Sequence, residues 1–289
     1  GTADAMETMA AVDLGLEHMR RGVEREGGCV VWGGAVQLSP ADDILISVEK
    51  ALDIDSEGQM IASVLSKKVA AGSTHAIIDI PVGPTAKVRS QDGALALKQR
   101  ITTVAAATGF HAEVVITDGS QPVGRGIGPA LEAMDVLAVL RHSAGAPADL
   151  KERALTLAGA LLDLSGKFPS GSGVEKARGI LQSGQALKKF LAICEAQGGF
   201  TEPGMAPHQH DVLAAHDGIV RSVDNRRLAR IAKLAGAPRS PMAGITFHAP
   251  IGRQVRKGDL LFSIHAEAKG ELEYARTYMH QENGTIQYD

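Results

Sequence analysis

The feature that most constrains this sequence is the segment from residue 75 to residue 117. His75-Ala76-Ile77-Ile78-Asp79-Ile80-Pro81 reads as a strand, residues 92–107 as a helix, and Ala112-Glu113-Val114-Val115-Ile116-Thr117 as a second strand. Both apolar runs are short and nearly continuous, the pattern of strands covered on both faces of a parallel sheet. Strand, helix and strand in that order predict a right-handed βαβ crossover. The loops after the two strands, residues 81–90 and 118–128, then share one edge of the sheet, where open α/β folds bind ligands.

The surrounding patterns extend this unit. Short helices are expected over 4–11 and 14–25, and a longer one over 56–71, with Met60, Ile61, Val64 and Leu65 as its apolar stripe and Gly72 as its stop. Cys29-Val30-Val31-Trp32, ahead of Gly33-Gly34, reads as a short buried strand. Further helices are expected at 129–141, 149–165, 173–183 and 185–197, and residues 198–210, with Pro203 and Pro207, read as a linker. Beyond it, strands at 218–223, 245–248 and 260–264 surround one helix at 225–235. The expected class is α/β: a mixed, largely parallel sheet with helices on both faces, a helical lobe, and a small C-terminal α+β domain. The expected domains are 1–39 with 72–205, then 40–71 as part of the helical lobe, then 208–289.

Composition narrows the function classes. Apolar residues make up 44% of the 289, enough for a packed core, although aromatics are only 3%. Thirty basic against thirty-three acidic residues give a net charge of -3, and no run of five like charges occurs, which argues against nucleic-acid and membrane-surface partners. No window of eighteen apolar residues exists to form a transmembrane helix. Cys29 and Cys194 are too few for a disulfide framework, so a reducing cytoplasm is expected. The opening Gly1-Thr2-Ala3-Asp4 has neither an initiator Met nor the features of a signal peptide, and is read as a chain whose upstream part is missing.

Several residues could carry chemistry, each with a plainer alternative. Ser63 and Lys67 lie four apart on one helix face, where a hydroxyl and an ammonium could hold an acceptor-rich group such as a nucleobase; a solvated polar face is the alternative. Asp55 precedes that helix and suits either an N-cap or, if buried in a dry cleft, a general acid. Lys87, in the loop Gly83-Pro84-Thr85-Ala86-Lys87, could meet an anionic or polar ligand at the sheet edge or simply be solvated. Gly124-Arg125-Gly126-Ile127-Gly128 lacks the spacing of a dinucleotide fingerprint, and Ser170-Gly171-Ser172-Gly173 reads as an interhelical turn. His208 and His210, without a third ligand, are weak evidence for a metal, and no metal site is assigned.

Taken together, Gly1-Thr2-Ala3-Asp4-Ala5-Met6-Glu7, the run Ser63-Val64-Leu65-Ser66-Lys67-Lys68 and Asp79-Ile80-Pro81-Val82-Gly83 resemble the thymidine/pyrimidine-nucleoside phosphorylase family. Asp118-Gly119-Ser120-Gln121-Pro122-Val123-Gly124 and Lys257-Gly258-Asp259-Leu260-Leu261-Phe262 add to the likeness, which covers essentially the whole chain. Trp32-Gly33-Gly34-Ala35 and Gly83-Pro84-Thr85-Ala86-Lys87 look most like its AMP phosphorylase branch.

The resemblance implies pentosyl transfer: phosphate attacks C1′ of a nucleoside or nucleoside 5′-monophosphate and releases free base and pentose 1-phosphate, reversibly. Thr2 matches a phosphate-holding hydroxyl, Ser63 and Lys67 match base-binding residues, Asp55 an aspartate proposed as proton donor, and Lys87 a nucleotide contact. It further implies a phosphate-side α/β domain, a base-holding helical lobe that closes over it, inorganic phosphate as co-substrate with no other cofactor, and a homo-oligomer of two or more chains. Two departures matter. The family's glycine-rich phosphate loop would lie upstream of Thr2, and Glu49 stands where the thymidine enzymes have an arginine that donates to the pyrimidine carbonyl, which a carboxylate cannot do. AMP or another nucleotide therefore stays open beside thymidine. The competing readings are a phosphoribosyltransferase of similar architecture and a lipoyl- or biotinyl-type carrier, since residues 249–269 resemble half of a hammerhead ending near Lys269.

Overall fold

The computed structural model describes residues 1–36, 57–281 and 284–289. Asp55, Glu49 and most of the expected helical lobe lie outside the described residues. The first half runs α1 (Thr2–Glu7), α2 (Leu16–Glu26), a 3₁₀ turn (Gly33–Val36), α3 (Glu57–Ala70), β1 (His75–Val82), α4 (Gln91–Ala107) and β2 (His111–Asp118). Then come β3 (Gly126–Ile127), α5 (Pro129–Leu140), α6 (Ala148–Leu164), α7 (Gly173–Gln182) and α8 (Gln185–Ala196). The C-terminal part comprises β4 (His208–Leu213), β5 (Gly218–Val223), α9 (Asn225–Leu234), β6 (Gly244–Phe247), β7 (Gln254–Val255), β8 (Leu260–Ala266), α10 (Lys269–Gln281) and β9 (Ile286–Tyr288).

The chain is α/β. β1 and β2 pair in parallel from His75 opposite His111 to Val82 opposite Asp118, with α4 as the crossover. Alternation along the strands divides the two faces. Ile78, Ile80 and Val114 pack against Ile61 and Leu65 of α3 and Leu97 and Ile101 of α4, while Asp79 points the other way to an arginine on α6. The apolar stripe expected on residues 56–71 is thus the buried side of α3. Burying Ile61 and Leu65 contributes roughly 1.5–3 kcal/mol each. The Ser90 hydroxyl caps α4 by accepting from the Gly93 amide at 3.1 Å, which starts the crossover helix directly after the loop that follows β1.

The other pairings between these strands are antiparallel: one sheet in the order β3-β6-β8-β4 and another in the order β7-β5-β9. Phe262 and Ile264 of β8, Ile245 and Phe247 of β6, and Leu228 and Ile231 of α9 form one continuous core. β3 reaches across from the first half to pair with β6 and stitches the two parts together.

Two expectations need correction. Cys29–Trp32 is not a strand. The buried amide of Gln197 takes the place of a strand partner, accepting from the Val30 amide at 2.7 Å and donating to the carbonyls of Val30 and Ala11 at 2.8 and 2.7 Å. An apolar run becomes a strand only where a ladder partner exists, and here a side chain satisfies the backbone instead. The expected linker also ends early, because His208 and His210 belong to β4, paired with Ala266 and Ile264 of β8. Helix α10 follows β8 where the sequence pattern predicts none.

Candidate functional site

A cavity of about 470 Å³ opens at the C-terminal ends of β1 and β2, the edge expected from the βαβ unit. Its volume lies within the ~300–1,000 Å³ range usual for small-molecule sites. One wall is apolar, built from Met60 and Val64 of α3 with Leu97 and Ile101 of α4. The rim is polar: Lys87 comes from the loop after β1, Asp118 from the end of β2, Gln121 from the loop that follows, Arg153 from α6 and Asn225 from the start of α9.

The loop carrying Lys87 is a compact turn, not a floppy excursion. The Gly83 amide donates to the Val88 carbonyl and the Ala86 amide to the Gly83 carbonyl, both at 3.1 Å. A Cβ at Gly83 would run into the Gly119 backbone, so only glycine lets the two loops touch. The Gly119 amide then donates to the Val82 carbonyl at 2.8 Å. Lys87 itself is exposed at the mouth.

Arg153 ties the two strand ends together. Its guanidinium donates to the Asp118 carbonyl at 2.6 Å and pairs with the Asp79 carboxylate at 3.3 Å, and Asp79 also accepts from the Thr117 hydroxyl at 2.6 Å. Arg153 and Asp79 are 18% and 26% exposed, partly shielded from solvent, so the pair is screened less than a surface one. Chemically, the site offers an apolar slab for a flat heterocycle, an ammonium and a guanidinium for an anionic or acceptor-rich group, and carboxylates and amides for hydroxyls.

The residues expected from sequence fall in three places. Lys87 lines this cavity. Ser63 and Lys67 are half-buried on α3, the helix whose Met60 and Val64 form the wall, but neither is among the lining residues. Thr2 is exposed at the start of α1, beside a second cavity of about 370 Å³ bordered by Gly1, Asp4, Gly128, Glu132 and Lys233. There the Glu132 carboxylate accepts from the Gly128 amide at 3.1 Å, and burial pushes its pKa above the ordinary value. The structure therefore brings Lys87 and the α3 wall together and leaves Thr2 beside a separate cavity.

Other motifs resolve simply. The Asp135 carboxylate accepts from the Arg125 and Gly126 amides at 2.6 and 2.7 Å, holding the glycine-rich loop against α5, where it passes into β3. Ser170–Gly173 is the turn between α6 and α7, its Gly171 and Gly173 amides donating to Asp163 at 3.0 Å. Lys269 opens α10, whereas a carrier lysine sits in a turn between strands. No group of three or more His, Cys, Asp or Glu able to hold a metal occurs among the described residues. No helix among them is long and apolar enough to cross a membrane. Arg153 and Asn225 were missed in sequence because nothing local marks them: they reach the site from 74 and 106 residues away, at Asp79 and Gly119.

An α/β unit with a cavity of this size at the ends of its parallel strands places that cavity where open α/β folds bind small molecules. Residues 219–285 match the pyrimidine nucleoside phosphorylase C-terminal domain. Over all 289 residues the chain is 58% identical to a protein of Hahella chejuensis named "Putative thymidine phosphorylase", covering 57% of that protein. It is 60% identical over 275 residues to one of the same name from Legionella pneumophila (strain Corby), 95% of this chain and 53% of that one. To "Putative thymidine phosphorylase 1" of Acidovorax sp. (strain JS42) it is 59% identical over 275 residues, 95% of this chain and 54% of that protein. The chain is similar to these phosphorylases over nearly its whole length, and it spans just over half the length of these relatives.

Proposed function

We propose that the protein is a pentosyltransferase that carries out reversible phosphorolysis of a nucleoside or nucleoside 5′-monophosphate, yielding free base and pentose 1-phosphate. The observation that carries this reading is the cavity at the ends of β1 and β2, where Lys87 faces an apolar wall supplied by α3. A departing base needs a flat apolar seat, and a 5′-phosphate or sugar needs a cationic rim. The full identity range, with relatives named for thymidine phosphorolysis, supports the reaction class.

In this reading Lys87 contacts the nucleotide, Ser63 and Lys67 hold the base, Asp55 protonates the leaving base and Thr2 helps hold phosphate. Residues 1–39 and 72–205 form the phosphate-side domain, 40–71 belong to the base-binding lobe, and 208–289 form the C-terminal domain. Closing the lobe would carry α3 toward the phosphate side. Phosphate is the co-substrate, with no other cofactor; the working form is a cytoplasmic homodimer or larger. The AMP branch is favoured over thymidine, because Glu49 cannot donate to a pyrimidine carbonyl.

The test is a phosphorolysis panel of thymidine, uridine, AMP, CMP and UMP on the complete gene product, with phosphate or pyrophosphate. Base release should require phosphate. Asp55→Asn and Lys67→Ala should each lower kcat/KM by about 10²-fold, a usual size for losing an acid or a positioned contact. Pyrophosphate as the active co-substrate would instead support the phosphoribosyltransferase reading, and wild-type rates in both variants would end the site assignment.

A further inference from the structure

The C-terminal domain does more than sit beside the cavity, because it holds both of the loops that shape its mouth. At the start of α9, the Asp224 carboxylate accepts from the Arg226 and Arg227 amides at 3.0 Å and fixes the first turn. That turn points Asn225 and Arg226 at the first half of the chain. The Asn225 amide N–H donates to the Thr85 hydroxyl at 3.3 Å, and Arg226 Nε donates to the Thr85 carbonyl at 3.1 Å. Asn225 Nδ2 donates to the Gly119 carbonyl at 3.0 Å. One residue thus grips the loop two positions before Lys87 and also the loop after β2.

The orientation of the Asn225 amide is settled by its neighbours. The Gly119 carbonyl can only accept, so it must face Nδ2, and Oδ1 is left on the other side. That oxygen is buried and has no hydrogen-bond partner among the described residues. Buried polar atoms are nearly always paired, and the exceptions concentrate where function holds them. Ile251 adds a second link between the same parts, its amide donating to Gln121 Oε1 at 2.7 Å, but that bond does not touch the loop carrying Lys87.

We infer that Asn225 is a positioning residue, contributed by the C-terminal domain, that sets the Lys87 loop for nucleotide binding. The inference rests on the reading of Lys87 as a nucleotide contact. Asn225 acts through both loops: its side chain holds the Gly119 carbonyl, against whose backbone Gly83 packs, and its backbone N–H holds Thr85, two positions before Lys87.

The experiment is a double-mutant cycle on the complete gene product, with Asn225→Ala, Lys87→Ala and the pair, read by steady-state phosphorolysis and by hydrogen exchange. Asn225→Ala, which removes the side-chain bond to Gly119 and leaves the backbone N–H on Thr85, should raise KM for the nucleoside or its monophosphate by about tenfold, the scale of one positioned hydrogen bond, with the KM for phosphate unchanged. In the Lys87→Ala background the same change should add almost nothing, because coupled residues are not additive. The Gly83 and Ala86 amides should exchange faster in Asn225→Ala, while those of β1 keep their protection. A merely structural docking contact would lower stability without this KM split. An unchanged KM, or effects of the two substitutions that simply add, overturns the inference; a wild-type protein that phosphorolyses none of the panel overturns instead the reading beneath it.

Discussion

The two parts of the molecule solve the problem of burial differently. The C-terminal part closes around one continuous core, in which Phe247 and Phe262, Leu228 and Ile231, and Ile245 and Ile264 meet. The described residues among the first two hundred divide their apolar surface among three separate clusters: one under α3 and α4 against β1 and β2, one where α1 meets α5 and α8, and a small one between α6 and α7. A single core makes a unit that moves as one body; divided cores leave seams where relative motion is least costly. The cavity lies along such a seam, between the α3/α4 cluster and the C-terminal domain. The difference teaches that the C-terminal domain is the rigid jaw here and the α/β half the adaptable one.

The largest effect that would break this contrast is in the cores themselves. Phe262 is 2% exposed at the centre of the C-terminal core, and Phe262→Ala should cost about 3–5 kcal/mol. Leu155→Ala, in the small α6/α7 cluster, should cost nearer 2 kcal/mol, because a small cluster collapses more readily around a cavity. The chain carries its own reporters: its three tyrosines, Tyr274, Tyr278 and Tyr288, all lie in the C-terminal part, and its single tryptophan, Trp32, lies in the other. Chemical denaturation followed by near-UV tyrosine and tryptophan signals separates the two. If Phe262→Ala shifts both signals together, the halves unfold as one unit and the contrast falls.

Next in size is Gln197→Ala. The side chain is 1% exposed and serves Val30 and Ala11, but those groups lie near enough to the surface for water to replace part of what is lost, so about 1–3 kcal/mol is expected. Trp32 emission should change and the tyrosine signals should not. Arg153→Lys follows at about 1 kcal/mol: lysine keeps the charge but lacks the planar fork that spans the Asp79 carboxylate and the Asp118 carbonyl together. On the proposed phosphorolysis reading, its expected readout is a raised KM for the nucleoside or its monophosphate with little change in Tm.

Much of the fold was legible because its strongest patterns were local. The βαβ unit announced itself through two continuous apolar runs and the helix between them, and the position of the ligand edge followed from that topology alone. Cys29–Trp32 carried an equally apolar run, yet its backbone is satisfied by Gln197, 167 residues from Val30, and no local pattern encodes that. α10 did leave a trace, since Leu272, Ala275, Tyr278 and Met279 recur at helical spacing and pack on the C-terminal core. The abundant charges between them obscured it. At the site, Lys87 could be found because it follows a strand; Arg153 and Asn225 could not, because their roles exist only once distant elements have packed.

Acidification should sharpen the comparison with the smallest perturbation. In the C-terminal part, burial lowers the pKa of His210, His248 and His265, with nearby Arg276 adding to the effect at His210 and Arg125 and Arg253 at His248; Asp211 opposes it at all three. A histidine whose folded pKa lies below its unfolded value binds more protons when unfolded. The stability it contributes is therefore present above the unfolded pKa of about 6.5 and is lost as pH falls through the folded value. In the α/β half the lowered groups are carboxylates held by ion pairs: Glu26 by Lys189 and Arg25, Glu152 by Arg178, and Glu202 by Arg141. Their contribution is present above the ordinary glutamate value of about 4.3 and fades only below it. Between those two values the tyrosine-reported transition should move to lower temperature, while the Trp32-reported one should hold or rise, because Glu132, raised by burial, takes up a proton in the folded state there. His265→Gln, which keeps a polar partner for the Thr246 hydroxyl now 2.8 Å from Nε2, should flatten part of that dependence. If the tyrosine transition is as steady as the tryptophan one across this range, the buried histidines do not couple to folding, and acid does not distinguish the rigid jaw from the adaptable one.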